Sequence, residues 1–353
     1  ELLALKVEQP TLTDHAGKLT NRFLLVSNIE ATDGGDAIRA GNARVVRARL
    51  ADAKFFYDQD RKQTLESRVA GLANVVYHGK LGSQLQRVQR LIAIALGIAS
   101  ELGVEADVVG RSARLAKADL RTLMVGEFPE LQGVMGEYYA LHDGESAEVA
   151  TAIRQHYRPR FADDALPDSI IGICVALADK LETIVGLFGV GEQPTGDKDP
   201  FGLRRQAIGI LRMLMEKRLP LPLHWLSKTA FSAFAPGAIG EAHTDVELFL
   251  LERLRGLLRE QGYTANEVES VVARGPDRID LIPELLAAVR AFMKLPEAES
   301  LASANKRIDN ILKKAVGVPS SFAKPSRNTS ERGGSISRIS HQPFGWSPSG
   351  PVM

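Results

Sequence analysis

Residues 115–140 read LAKADLRTLMVGEFPELQGVMGEYYA. The first part is helical by pattern, a Phe-Pro pair interrupts it, and a second amphipathic segment rich in glycine and aromatic residues follows. Val109, Ala113, Ala116, Leu120 and Leu123 recur at steps of three and four, the spacing that lines one face of a helix. Asp119 falls one residue off that stripe. The pattern therefore predicts its carboxylate at the edge of an apolar core, where a metal hydrolase would hold a ligand.

Working outward, helical periods dominate. On the N-terminal side, Leu81, Leu85, Val88, Ile92, Ala95, Ala99 and Leu102 keep the step, and Gly103 is placed to stop the helix. Residues 43–60 carry Val46, Leu50, Ala53 and Tyr57 as a stripe, with Arg44, Arg47 and Arg49 on other faces. Residues 17–28 combine a turn signal with a short apolar run, the mark of a buried strand. On the C-terminal side, 169–188 is apolar on nearly every side through Leu177, so it is expected at the centre of a bundle with Asp179 in its buried middle. In PTGDKDPFGLRRQA (194–207) Asp199 reads as an N-cap and Pro200 as the first helical residue, the helix running to about Leu219 before Pro220 and Pro222. The small-residue stretch 231–243 reads as a domain boundary. Beyond it Asp245 is expected to cap a helix that Gly262 closes. Thr264 with Glu267 spells a capping box, and helices are expected over about 281–294 and 297–314. After Gly317 the text turns to Ser, Gly, Pro and Arg without apolar period, which predicts disorder.

Composition sets the limits. The 353 residues, 44% hydrophobic and 25% charged, suffice for two domains. Lys and Arg total 44 against 43 Asp and Glu, so no global field attracts a polyanion and any nucleic-acid contact must be local. The one cysteine, Cys174, excludes a disulfide framework and a multi-cysteine zinc site, and reads as core in a reducing, cytoplasmic setting. The apolar run 170–190 contains Asp179, Lys180 and Glu182, so no membrane span is expected. The chain opens on Glu1, which suggests a fragment or a processed product. No phosphate-binding loop, nucleophile elbow or synthetase class signature is present.

The helix order imitates the HD class of metal phosphohydrolases, in which histidines and aspartates from successive helices hold an ion that activates water. GSQLQRVQRL (82–91) resembles the text that follows the first ligand histidine, KAD (117–119) stands at the His-Asp pair, and ALADKL (176–181) resembles the stretch of the last aspartate. The ligands have changed: Gln84 takes the first histidine position and Ala118 the second, leaving Asp119 and Asp179 as oxygen donors. No metal is expected. His78, His142 with Asp143, and Asp179 offer the ligand types in order, but Gly144 makes His142-Asp143 a turn rather than a pair within a helix. Asp119 and Asp179 are expected instead to be hydrogen-bonded or paired with a cation such as Lys117, because a buried unpaired carboxylate is costly. Removing Asp179 should then cost about 1 to 3 kcal/mol of stability rather than a chemical step.

The runs at 41–60, 77–88, 115–140, 175–212 and 304–314, among them GNARVVRARLADAKFFYDQD, YHGKLGSQLQRV and ANKRIDNILKK, resemble the beta subunit of bacterial two-subunit glycyl-tRNA synthetase, in that family's order across about 17–316. The resemblance implies a mainly α fold: a remnant of an N-terminal α/β module (1–40), an HD-like helical domain without its metal ligands (41–230), part of an anticodon-binding-type helical domain (244–316) and a disordered tail (317–353). It implies no catalytic residue in this chain, which would bind tRNA and dock to an alpha subunit in an α2β2 heterotetramer. That alpha subunit would activate glycine with ATP and magnesium, and the chain itself would need no cofactor. The family's chain begins well before Glu1 and continues past Lys314. For tRNA contact the candidates are Arg44, Arg47 and Arg49 on the early helix, Lys198, Arg204 and Arg205 near a helix start, and Lys306, Arg307, Lys313 and Lys314 on the last helix. Arg47 and Arg205 have an alternative as partners of carboxylates in the bundle. The alternative function is a metal-dependent phosphohydrolase of the HD class.

Overall fold

The computed structural model describes residues 11–13, 19–23 and 26–314. It is mainly helical, and it divides into a compact unit ending at Arg290 and a second from Ala291 onward. The predicted tail 317–353 lies outside the described residues.

The first unit opens with a two-stranded antiparallel ribbon, β1 (Thr11–Thr13) with β2 (Leu19–Phe23), Thr11 opposite Phe23. The strand expected within 17–28 is present, but Phe23 is exposed rather than buried. Helix α1 (Asp36–Asp60) follows, beginning earlier than its apolar period suggested. Its stripe is buried only toward the C-terminal end: Ala53, Phe56 and Tyr57 pack on a core, whereas Leu50 is 66% exposed. A short helix α2 (Leu65–Val69), a 3-10 turn and the ribbon β3 (Val76–His78)–β4 (Gly82–Ser83) lead into α3 (Gln84–Leu102). Ser83 and Gln86 form a capping box at its start, and Gly103 ends it at φ 66°, a conformation in which a side chain would be strained.

The helix expected to run through Val109 and Leu123 is broken. Helix α4 (Ala106–Leu115) stops, residues Ala118–Arg121 form a 3-10 turn, and α5 (Leu123–Glu127) restarts under a Thr122 cap. Then come α6 (Val134–His142), α7 (Ala147–Gln155) and the central α8 (Ile170–Gly189), capped by Ser169 and buried from Ile171 to Phe188. Helix α9 (Leu203–Glu216) starts three residues later than the Pro200 reading allowed. Gly202 holds the cap position at φ 65°, and Asp199 reaches across the turn to accept from the amides of Leu203 (2.8 Å) and Arg204 (2.9 Å). Helices α10 (Leu223–Ser232), α11 (His243–Glu260), α12 (Ala265–Val272) and α13 (Ile282–Phe292) complete the unit. The Thr264–Glu267 capping box is formed, while Asp245 sits inside the first turn of α11 rather than at its cap.

The stretch 231–243 does not separate compact units. Leu250, Leu254 and Leu258 of α11 join Leu177, Ile184, Leu211 and Leu214 of α8 and α9 in one apolar cluster, so the helices assigned to a domain starting at 244 belong to the first unit as far as Arg290. A second, smaller cluster gathers Leu65, Leu115, Ala118, Met124, Tyr139 and Ile153 beneath α1. In the second unit α14 (Ala298–Lys314) is a helix, as its text predicted. Among the described residues no helix is long and apolar enough to cross a membrane.

Candidate functional site

Helices α3 and α8 lie side by side with matched charges. Arg87 and Arg90 stand three apart on α3; Asp179 and Glu182 stand three apart on α8, so each pair shares one helix face. Arg87 donates from Nη2 to Asp179 Oδ1 (3.0 Å) and to Thr183 Oγ1 (2.8 Å), and from Nε to Glu182 Oε2 (3.1 Å). Arg90 donates from Nε to Glu182 Oε1 at 2.9 Å. Lys117, in the link between α4 and the 3-10 turn, puts Nζ 3.0 Å from the same Asp179 oxygen. Asp179 is therefore paired with the ammonium of Lys117, the cation expected for it, and with the guanidinium of Arg87 besides.

Aromatic rings cover the cations. Lys117 Nζ lies 3.9 Å from the centroid of Tyr157, Arg87 packs over Tyr77 at 4.2 Å and Arg90 over Phe234 at 4.6 Å. The groups are largely buried, so the charges act strongly on one another. Burial alone would raise the Asp179 carboxyl, but Arg87 and then Lys117 hold it far below the usual range. Burial pushes Lys117 down to about 8 despite Asp179. Lys180, next to Asp179 in sequence, is also buried and lowered to about 8; its Nζ reaches the Tyr157 carbonyl at 3.4 Å.

Asp119 differs. It is wholly buried in the 3-10 turn, not at a core edge, because ending α4 at Leu115 turns the chain inward. Its Oδ2 accepts from the Gly133 amide at 2.5 Å, while Oδ1 has no hydrogen-bond partner among the described residues. Gly133 sits at φ 79°, and a Cβ on Gly136 would lie 2.6 Å from the Ile153 side chain and 3.1 Å from Oδ2, so this approach needs glycine. Burial raises Asp119 to about 6, against the Gly133 hydrogen bond and the Lys117 charge.

The other hydrolase positions do not supply donors. Ala118 packs its methyl among Leu115, Met124 and Ile153, and Gln84 opens α3 with its Oε1 buried and without a partner. His142 ends α6 against Arg61 (3.3 Å), Asp143 accepts from the Leu65 amide (2.6 Å) and His78 packs edge-on against Phe201. Among the described residues no three His, Cys, Asp or Glu side chains converge as an ion would require. The residues present do not fit the ion of the HD class: Gln84 and Ala118 offer no imidazole, and Asp179 is paired with cations. Cys174 is core, its thiol raised to about 12 by burial.

The sequence reading missed Arg87, Glu182, His156 and Tyr157. The first two were visible as like-charged i, i+3 pairs of opposite sign on two helices, Arg87 with Arg90 and Asp179 with Glu182. His156 carries no such signal: it is fully buried, Nδ1 against the Ile153 carbonyl at 2.6 Å, and burial followed by Lys117 keeps its imidazole well below the ordinary range.

The RNA candidates divide. Arg44 and Arg47 are exposed on α1 and make no ion pair among the described residues; Arg49 pairs with Glu127 and lies over Phe128. Lys198 is exposed in a turn bridged to Thr195. Arg204 is tied to the Gly196 carbonyl, and exposed Arg205 donates to the Arg160 carbonyl at 3.5 Å rather than to a carboxylate. Arg307 is exposed on α14; the side chains of Lys306, Lys313 and Lys314 lie outside the described residues.

A family model described as "Glycyl-tRNA synthetase beta subunit" matches residues 4–273. The chain belongs to that family. Among its relatives, the glycine-tRNA ligase beta subunit of Thiobacillus denitrificans is 62% identical over 330 residues, covering 92% of this chain and 47% of the relative. Those of Dechloromonas aromatica (58%, 89% of this chain, 44% of the relative) and Polaromonas naphthalenivorans (59%, 89% and 44%) are similar in the same way. The chain thus spans about half the length of the curated relatives it matches.

Proposed function

We propose that this chain works as beta-subunit material of a glycine-tRNA ligase: it binds tRNA and docks to an alpha subunit that activates glycine with ATP and magnesium. The assembly is an α2β2 heterotetramer in the cytoplasm, serving glycyl-tRNA formation in translation. The observation that carries this reading is the 62% identity to a named beta subunit across nearly the whole chain. The exposed cations Arg44, Arg47, Lys198, Arg205 and Arg307 support local contact with RNA phosphates in a chain of net charge +1. The phosphohydrolase alternative lacks a donor set, since Asp179 is neutralised by Arg87 and Lys117, and Gln84 and Ala118 replace imidazoles.

Mixing the chain with an alpha subunit, glycine, ATP and glycine tRNA tests the proposal. Glycyl-tRNA should form above the level of the alpha subunit alone, and the two chains should co-elute. A folded chain that binds neither alpha subunit nor tRNA would overturn it. Stoichiometric divalent metal with phosphodiester hydrolysis would restore the alternative.

A further inference from the structure

Residues 154–160, which leave the end of α7, carry three arginines in seven positions: Arg154, Arg158 and Arg160. With Gln132, Val134 and Tyr157 they line a recess of about 60 Å³, roomy enough for a small tetrahedral anion and little more. The loop is held from behind. Arg212 of α9 donates to the carbonyls of Ala162 (2.6 Å) and Asp164 (2.9 Å), Asp164 accepts from the Arg160 amide (2.8 Å), and buried Lys180 reaches the Tyr157 carbonyl.

The recess is rich in donors and poor in acceptors. Each arginine has a carboxylate nearby that engages at most one edge of it. Arg154 gives Nη1 to Glu137 at 3.1 Å, and Arg160 gives Nε to Asp164 at 3.2 Å. Arg158, only 21% exposed, has its nearest carboxylate, Asp168, at 3.7 Å, beyond hydrogen-bond distance; Asp168 instead accepts from Gln155 Nε2 at 2.8 Å. The Arg158 guanidinium therefore makes no hydrogen bond among the described residues, and neither does the Gln132 amide side chain. Arg158 keeps a long ion pair with Asp168, and its N–H groups remain open to an outside anion. Guanidinium forks match the geometry of a phosphate. Arg205, exposed and bonded to the Arg160 carbonyl, adds a fourth guanidinium beside the recess, within reach of a neighbouring phosphate on a continuous strand.

We propose that this recess binds a phosphate group of an RNA backbone, with Arg158 and Arg160 as its main donors and Arg205 alongside. The inference rests on the tRNA-binding reading above and adds a place to it. An isolated phosphate offers the same chemistry, and the test separates the two sources.

The full chain is titrated with glycine tRNA at several potassium chloride concentrations, together with the double variant Arg158→Gln/Arg160→Gln, its charge-keeping counterpart Arg158→Lys/Arg160→Lys, and Arg259→Gln, an exposed arginine elsewhere on the unit. The glutamine double variant should weaken binding, and the slope of log K against log salt should fall by about one for each guanidinium removed. The lysine pair should keep the slope while losing affinity, and Arg259→Gln should match the native chain. Inorganic phosphate at matched ionic strength should not displace the tRNA. Native binding with an unchanged slope in the folded glutamine variant overturns this inference alone, as does displacement by millimolar inorganic phosphate. A native chain with no tRNA affinity overturns the proposed function as well.

Discussion

Asp119 and Asp179 are both buried carboxylates, yet their surroundings push them in opposite directions. Asp179 has two cations on one oxygen, so its removal would strand Lys117 and Arg87 without a counter-charge. Leaving a buried charge unpaired costs about 3 to 5 kcal/mol, more than the roughly 1 to 3 kcal/mol expected from sequence. Asp179→Ala should therefore lower unfolding free energy by about that amount in urea titration. A loss below about 1 kcal/mol would contradict the network. Asp119 has a backbone amide and no contacting cation, and its folded carboxyl is raised from 3.8 to about 6. Between those values the folded state holds more protons than the unfolded one, so stability is greatest below about 4 and falls as pH rises toward 6. The fall attributable to Asp119 is up to about 3 kcal/mol. Asp119→Asn keeps an oxygen for the Gly133 amide and cannot ionise. Urea unfolding at pH 4.5 and pH 7 should show this part of the fall in the native chain and not in the variant. Equal pH dependence in both would sink the assignment.

At the level of elements, the last residue of α1 anchors the start of α5. Asp60, 2% exposed, accepts from the amides of Leu123 (2.8 Å) and Met124 (2.9 Å) and from the Tyr139 hydroxyl (3.0 Å). One carboxylate thereby satisfies two of the free N–H groups, those of Leu123 and Met124, of a five-residue helix that has little stability of its own, Thr122 taking the next two. Asp60→Ala should cost about 2 to 4 kcal/mol and raise amide exchange in α5 and the C-terminal turns of α1 ahead of α8. Uniform protection across the three would argue against this anchor. The period of the text predicted α1, α3 and α8 well, because long amphipathic or apolar helices repeat their signal over several turns. It misread residues 116–122. Leu120 and Leu123 continue the arithmetic of the stripe, but the chain leaves the α4 axis at Ala116 to bury Asp119 and Ala118, a tertiary demand that local spacing does not record.

For the first compact unit, the absence of a break at 231–243 has a thermodynamic consequence. Helices α8, α9 and α11 share buried Leu and Ile side chains, so neither side of that stretch can lose its packing without exposing the other. Amides of α8 and α11 should report the same opening free energy in native-state hydrogen exchange, and should respond together to added urea. Two separate unfolding steps divided at 231–243 would overturn a single core. Small residues and glycine mark loops equally well between domains and within one, so the text of 231–243 does not tell the two apart. Ala242, in that stretch, is buried, and the Gly240 amide donates to the Gly189 carbonyl at 2.7 Å, closing the loop onto α8.

The amino-acid sequence by itself determined that the protein is mainly helical, and it carried the family resemblance. Those properties are written in residue identity and in periods of three and four, which need no knowledge of neighbours in space. The tertiary structure alone decided that Arg87 joins Lys117 at Asp179 and which arginines are left without hydrogen bonds. Lys117 lies 62 positions before Asp179 in the text, and Arg87 still further back. Only the packing of α3, the turn after α4 and α8 brings their charges within 3.0 Å of one carboxylate oxygen. Charge pairing depends on distance in space, and sequence spacing predicts that distance only within a single helix or strand.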